Sequence, residues 1–153
     1  MSGLVFVPLA AQELSAWATG GTLPGPRPGF AVTPAMLAAF GLTEGEDAEY
    51  TALCIAGIAG LLAHGARLVA VVETSVTAGD DEFGQVEVTG LPWTAVGSLF
   101  AEDASDGASA AAAAEAVRGT DLARAWEAAD VEALLAETDL LWYGPSEWVL
   151  LGG

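Results

Sequence analysis

The chain has 153 residues, the length of a single domain (1–153) that can bury a substantial core, and its 21 acidic residues face only 4 basic ones. The net charge of −17 and the lack of lysine leave almost nothing to pair with phosphate, so we expect no nucleic acid and no membrane surface as partner. Because only 16% of the residues are charged and alanine occurs 32 times, much of the surface is expected to be small or apolar.

The cysteine content and the hydropathy pattern indicate a soluble, cytoplasmic protein. Cys54 is the only cysteine, which excludes an internal disulfide and fits a reducing compartment. No lysine or arginine precedes the first apolar run, as a signal peptide would require. The apolar stretch 52–72 is about as long as a bilayer span, but His64, Gly65 and Arg67 interrupt it and β-forming residues follow. We therefore expect a buried helix followed by a buried strand.

The order of apolar runs and turn residues predicts helices and strands in one domain. The predicted elements are a strand at 3–8, a helix at 10–18, a loop at 20–29, a strand at 30–32, a helix from 34 to about 41, a long buried helix at about 44–64, a β-hairpin at about 67–90, a strand at 95–101, two alanine-rich helices split at 119–121, a helical turn capped at 130, a strand at 140–143 and a closing turn from 145. This order predicts an α+β fold (α/β in the broad sense) with a mixed sheet of five or six short strands.

Local signals mark the starts of two helices. Thr33 precedes a proline, a combination that favours a capped first turn. Thr43 and Glu46 have the spacing of a capping box in front of the long helix. Within that helix, Gly57 and Gly60 lower helix propensity, which suggests that a neighbouring backbone approaches closely there.

His64 is the only histidine, so any histidine chemistry must use it. It lies at the end of the long helix, where a donor or cation suits the terminal carbonyls, and we interpret it as part of that cap. A dyad with Cys54 is excluded because ten helical residues separate the two by ~15 Å of rise. Cys54 is then expected to be a small buried apolar residue. A serine nucleophile paired with His64 stays open, although the sequence has no Gly-x-Ser-x-Gly elbow.

Glu73 and Glu87 are the other catalytic candidates. Each lies inside a strand of the predicted hairpin, and the register decides whether they approach each other. A paired-carboxylate site would need burial to raise one pKa. The alternative is that both are ordinary solvent-facing strand residues.

The sequence predicts no metal and no cofactor. Histidine and cysteine pairs are lacking, and neither acidic loop, at 80–82 or 102–106, has the ligand spacing of a calcium site. Both loops are interpreted as solvated turns. Phosphate-binding glycine motifs are also lacking, so the loop around Arg27 is expected to be a surface connector.

The C-terminal segment is unusually apolar for a chain end. Trp142, Tyr143 and Trp148 either pack against the sheet or form a docking surface for a partner protein or a second copy.

Four strings of the sequence resemble a family of small acidic actinobacterial proteins of unknown function. They are Phe-Val-Pro at 6–8, Phe-Ala-Val-Thr-Pro-Ala-Met-Leu at 30–37, Gly-Glu-Asp-Ala-Glu-Tyr-Thr-Ala-Leu at 45–53 and Leu-Leu-Trp-Tyr at 140–143. The resemblance covers most of the chain and implies a cytoplasmic protein that is not an enzyme of a familiar class. It carries no functional residues with it.

Taken together, these features favour a non-enzymatic protein-interaction or accessory module, with self-association as one form of that interaction. The first alternative is a small-molecule-binding protein or an enzyme that uses Glu73, Glu87 and backbone groups. The second alternative is an acidic decoy that binds a basic protein.

Overall fold

A six-stranded antiparallel sheet forms the centre of the structure, a computed structural model that describes residues 2–152. The strands are β1 (Ser2–Pro8), β2 (Thr22–Leu23), β3 (Arg27–Ala31), β4 (Leu68–Ser75), β5 (Gln85–Val88), β6 (Leu91–Pro92), β7 (Val96–Ala101) and β8 (Leu141–Tyr143). The helices are α1 (Ala11–Gly20), α2 (Pro34–Phe40), α3 (Glu46–His64), α4 (Gly107–Ala116), α5 (Leu122–Glu127) and α6 (Ala129–Glu137), with short 3-10 turns at Trp93–Ala95, Ala104–Asp106 and Pro145–Leu150. The large sheet has the order β5-β3-β1-β4-β7-β8, and β2 pairs with β6 in a small second sheet. The α+β class is therefore confirmed.

Two details of the predicted sheet are wrong. All of its described pairings are antiparallel, so the sheet is not mixed. The hairpin at about 67–90 does not form, because β4 lies between β1 and β7 while β5 pairs with β3 at one edge. The first five residues of β4 are all buried, as expected for a central strand with covered faces, whereas β5 alternates between exposed and buried residues. The connection at 76–84 is long enough for β5 to pair with a strand other than β4. The alternation of apolar and polar residues in β5 does not specify which strand that is.

The long helix α3 packs across one face of the sheet and confirms the buried helix expected at about 44–64. It ends at Gly65, whose φ of 79° allows its N–H to donate to the Leu61 carbonyl. β4 begins three residues later, so the apolar stretch 52–72 is a helix followed by a strand, as expected. Within residues 2–152, no helix is both long enough and apolar enough to cross a bilayer.

The two glycines of α3 permit close packing, but not in the same way. A Cβ on Gly60 would lie 3.3 Å from the Ala66 carbonyl oxygen and 3.3 Å from Cβ of Pro8, so backbone does approach here. A Cβ on Gly57 would instead meet the side chains of Arg67 and Leu140 at 3.5 and 3.7 Å.

The helix starts agree with the sequence signals only in part. Thr33 caps α2 as expected, because its Oγ1 accepts the Met36 N–H at 3.1 Å. The capping box at the start of α3 is wrong, since the cap is Gly45 with a φ of 144° and no capping side chain. Acidic residues in the first turn of α3 still match the macrodipole. Asp130 is not a cap either, because α6 begins at Ala129 with Ala128 as its cap.

The core lies on both faces of the sheet. On one face, Phe6, Val69 and Val71 pack against α3, whose outer side is covered by α4, α5 and α6. On the other face, a second cluster includes Trp17 of α1 and is partly covered by Trp148 of the closing 3-10 turn. Because α3 crosses the sheet without covering it fully, part of the first face is left open beside β7.

Candidate functional site

A groove of about 600 Å³ lies between α3 and the uncovered part of the sheet. Its size is within the range of small-molecule sites, roughly 300–1,000 Å³. The floor consists of strand residues that share one face of β1, β4 and β7: Leu4, Phe6, Val71, Ser98 and Phe100. One wall is α3, with Glu46, Glu49, Tyr50, Leu53, Cys54 and Gly57, and the other is the end of α6 and the segment after it, with Leu135, Thr138, Asp139 and Leu140.

The strand register explains why the floor residues lie side by side. Phe6 lies opposite Val71, and Val71 lies opposite Ser98 on the next strand, so the three side chains form one row across the sheet. Alternation along each strand sends their neighbours into the opposite core. The groove is therefore the part of this sheet face that α3 does not cover.

Arg67 is the buried charged residue of the groove. It is 3% exposed, and its Nε donates to Oε1 of Glu102 at 2.8 Å while its Nη2 donates to Oγ1 of Thr138 at 2.8 Å. Thr138 is itself held in place because its hydroxyl donates to the Leu134 carbonyl at 2.6 Å. A guanidinium has five donor hydrogens, and these two bonds fix its plane while leaving others for a ligand. Arg67 thus offers oriented donors beside the apolar floor of the groove.

Tyr50 and Cys54 are four residues apart on α3 and therefore lie on the same face of the helix. The Tyr50 hydroxyl donates to Oδ1 of Asp139 at 3.0 Å, which links the two walls of the groove. The nearby Cys54, which becomes an anion at high pH, raises the pKa of Tyr50, and partial burial and Asp139 add to this. Burial raises the pKa of the Cys54 thiol. Both groups are therefore protonated at neutral pH.

These protonation states decide what the groove can do chemically. A protonated thiol is a poor nucleophile, and a protonated phenol is not a general base. The groove instead combines an apolar floor with a few fixed polar groups, the arrangement that is typical of small-molecule sites.

A second concavity continues the groove over the sheet. It shares Leu4, Val71 and Ser98 with the groove and is bordered by Glu73 and Trp142. Glu73 lies opposite Leu4 in the register, which places both on the open face. The sequence candidate Glu73 is therefore an exposed residue beside the groove.

Glu87 does not join Glu73. It lies on β5, and the strands β3 and β1 separate β5 from β4, a distance of about 14 Å at the usual strand spacing. Both carboxylates are exposed, so the structure does not bring them together as a pair.

His64 lies in the last turn of α3, as expected, but away from the groove. Its Nε2 is 3.7 Å from Oε1 of Glu13 on α1. Glu13 also receives two hydrogen bonds from Arg27, at 2.8 and 3.1 Å. The hydrogen bond from Arg27 is the main reason why the pKa of Glu13 falls to about 2. This cluster ties α1 to β3, so its role is structural.

Cys54 differs from its expected role. It is half-buried and lines the groove rather than filling the core.

The aspartates of the acidic loops stabilise the turns in which they lie. Asp81 accepts the N–H groups of Phe83 and Gln85 at 3.0 Å, and Asp103 accepts that of Ser105 at 3.2 Å. Glu102 departs from the expected solvated turn, because its side chain is only 12% exposed in the ion pair with Arg67. Among residues 2–152, no three histidine, cysteine or acidic side chains are grouped so that they could hold a metal ion.

The C-terminal aromatic residues divide between core and surface. Tyr143 and Trp148 are half-buried against the core on the face opposite α3. Trp142 is 62% exposed and lies on the groove side, opposite Phe100. The exposed large apolar side chains of the described chain are Leu4, Tyr50, Leu141, Trp142, Val149 and Leu150. Leu4, Tyr50 and Trp142 border the groove or its continuation, and the other three belong to the C-terminal segment.

Sequence reasoning missed Arg67, Tyr50, Thr138 and Asp139. A signal for Arg67 was present, because a charged residue inside an apolar stretch must find a partner when the stretch is buried. Its partners Glu102 and Thr138 are 35 and 71 residues away, and no local pattern connects them.

Comparison with known proteins identifies a family whose function is unknown. The model of a family of unknown function, DUF6912, matches residues 4–151. No curated protein matches the chain, and no solved structure does so either. The match spans nearly the whole chain, from β1 to the closing 3-10 turn, and includes every residue that lines the groove. This chain therefore belongs to the family of unknown function DUF6912.

Proposed function

We propose that this protein binds a small organic molecule in the groove between α3 and the sheet. The observation that carries the proposal is a groove of about 600 Å³ with a mainly apolar floor and the buried, oriented guanidinium of Arg67 in its lining. Without a ligand, the Leu4 and Tyr50 side chains in this groove remain exposed, at 41% and 52%. Covering such side chains with a ligand is favourable, at about 25 cal/mol per Å² of apolar area.

Binding is favoured over covalent catalysis by the state of the groove's reactive groups. The Cys54 thiol and the Tyr50 phenol both have raised pKa values, and the carboxylate of Asp139 that accepts from Tyr50 favours the protonated phenol. The proposed role is therefore that of a ligand-binding protein, in line with the first alternative from the sequence.

The test uses Nile red, a neutral apolar dye whose fluorescence rises on leaving water, and one variant that fills the groove. Ser98→Phe places a ring on the floor beside Val71 and Phe100. Ser109→Phe makes the same change at an exposed position on α4, outside the groove. We expect saturable, one-to-one dye binding by the original protein and by Ser109→Phe, and at least tenfold weaker binding by Ser98→Phe.

Two outcomes would refute the proposal. One is dye fluorescence that rises without saturation, and the other is equal affinity in Ser98→Phe and Ser109→Phe. The urea midpoint of Ser98→Phe, compared with that of the original protein, establishes that the variant is folded.

A second candidate function is self-association through the C-terminal segment. Leu141, Trp142, Val149 and Leu150 are 41% to 68% exposed, and β8 is an edge strand of the sheet. An open strand edge with apolar side chains beside it favours pairing with another chain. Light scattering at rising protein concentration would show dimers that Leu141→Thr combined with Leu150→Gln abolishes, whereas a monomer at submillimolar concentration would refute this function.

A further inference from the structure

The charges around the groove select the kind of ligand. Resting on the function proposed above, we infer that the ligand is an organic cation, an apolar body that carries a positively charged nitrogen. Three carboxylates line the groove, those of Glu46, Glu49 and Asp139, and all three residues are exposed at its mouth. Glu73 adds a fourth on the adjoining concavity.

The one base in the groove does not offset these charges. Arg67 is already paired with Glu102 through a 2.8 Å contact, and the side chains of the pair are 2% and 12% exposed. The pair is therefore close to neutral when seen from the groove. The chain as a whole carries a net charge of −17, which further attracts cations and repels anions.

Exposed aromatic side chains border both concavities. Tyr50 is 52% exposed on the α3 wall of the groove, and Trp142 is 62% exposed on the adjoining concavity, which Glu73 also lines. The negative face of an aromatic ring attracts a cation, and Trp is the strongest of the three ring types in this respect. Exposed rings beside carboxylates on an apolar floor thus suit an ammonium group attached to a hydrophobic body.

The depth of the groove gives the ligand an orientation. The carboxylates are at the exposed mouth, whereas Arg67 is buried and has donor hydrogens left after its bonds to Glu102 and Thr138. A carbonyl or hydroxyl oxygen on the inner end of the ligand would accept from this guanidinium. The nitrogen would then lie at the mouth, among Glu46, Glu49 and Asp139.

The test compares three molecules that share a phenyl ring on a four-carbon chain and differ only at the last carbon: 4-phenylbutylamine, 4-phenylbutan-1-ol and 4-phenylbutyrate. Their affinities are measured by titration calorimetry at low and at physiological salt. We expect the amine to bind about tenfold more tightly than the alcohol at low salt, the carboxylate to bind most weakly, and the preference for the amine to shrink as salt is added.

Two variants locate the origin of the preference. Glu46→Gln combined with Glu49→Gln is expected to reduce amine affinity roughly tenfold and to leave alcohol affinity unchanged. Glu127→Gln combined with Glu132→Gln is the control, because it removes the same number of charges from exposed residues that do not line the groove. A loss of amine affinity equal in both variants would contradict the inference, since a general loss of charge would then be the cause.

The outcomes separate this inference from the proposed function. Equal binding of amine and alcohol overturns the cation preference and leaves the ligand-binding function in place. Tightest binding of the carboxylate identifies Arg67 as an anion site and likewise overturns the preference. If none of the three binds while Nile red does, the inference fails alone, and if Nile red also fails to bind, the proposed function fails with it.

Discussion

The buried ion pair between Arg67 and Glu102 holds one wall of the groove, and its removal should be costly in a characteristic way. The Glu102→Leu variant leaves a guanidinium that is 2% exposed without its counter-charge. Removing one partner of a buried pair typically costs about 3–5 kcal/mol of unfolding free energy. With a urea m-value of about 2 kcal/mol per molar for a chain of this size, the unfolding midpoint should fall by about 2 M.

The double variant Arg67→Met with Glu102→Leu should recover most of this loss. It removes both charges, and well-packed apolar replacements of a buried pair are often neutral or stabilising. The coupling energy from the four proteins of the double-mutant cycle should therefore be at least about 2 kcal/mol. Urea unfolding followed by tryptophan fluorescence measures all four.

The control pair for this cycle is on the surface. Arg118 and Glu115 form an ion pair on exposed side chains, 77% and 67% accessible. Glu115→Leu should change the unfolding free energy by no more than ~0.5 kcal/mol. If Glu102→Leu costs less than about 1 kcal/mol, or if the two single changes simply add in the double variant, the pair does not stabilise the wall as argued.

Three further predictions concern other parts of the molecule. Because Arg27 lowers the pKa of Glu13 from 4.5 to about 2, the ionised Glu13 carboxylate contributes its full stabilisation above pH 4.5, and this stabilisation is lost as the pH falls toward 2. The unfolding free energy of Glu13→Gln should therefore fall by about 1 kcal/mol less than that of the original protein on acidification, an amount already reduced because Glu13 is 36% exposed. Urea midpoints of the two proteins that fall in parallel between pH 6 and 2.5 would contradict this. The raised pKa of Cys54 should make its alkylation by iodoacetamide at pH 8 several-fold slower in the folded protein than in urea, and equal rates would contradict the assignment. Gly57→Ala should raise the unfolding free energy by about 0.5–1 kcal/mol, since the new methyl group makes only ordinary contacts. Gly60→Ala should bring no such gain, because its Cβ would lie 3.3 Å from the Ala66 carbonyl oxygen. Thermal unfolding of the two variants compares these effects.

The sequence by itself determined the elements whose causes are local. The cap at Thr33, the end of α3 at Gly65 and the change from helix to strand within 52–72 all follow from residues close together in the chain. Helix capping and apolar periodicity act over a few residues, so they can be read directly from the sequence. The α+β class followed from these elements.

Tertiary structure decided which strands pair and where the candidate site lies. β4 pairs with β1 and β7 rather than with β5, because burial on both faces requires a central position that no local pattern specifies. The same long-range packing brings Arg67 to Glu102 and Tyr50 to Asp139, which are 35 and 89 residues apart. The groove exists because α3 covers only part of one sheet face, and the sequence gives no measure of how far a helix covers a sheet.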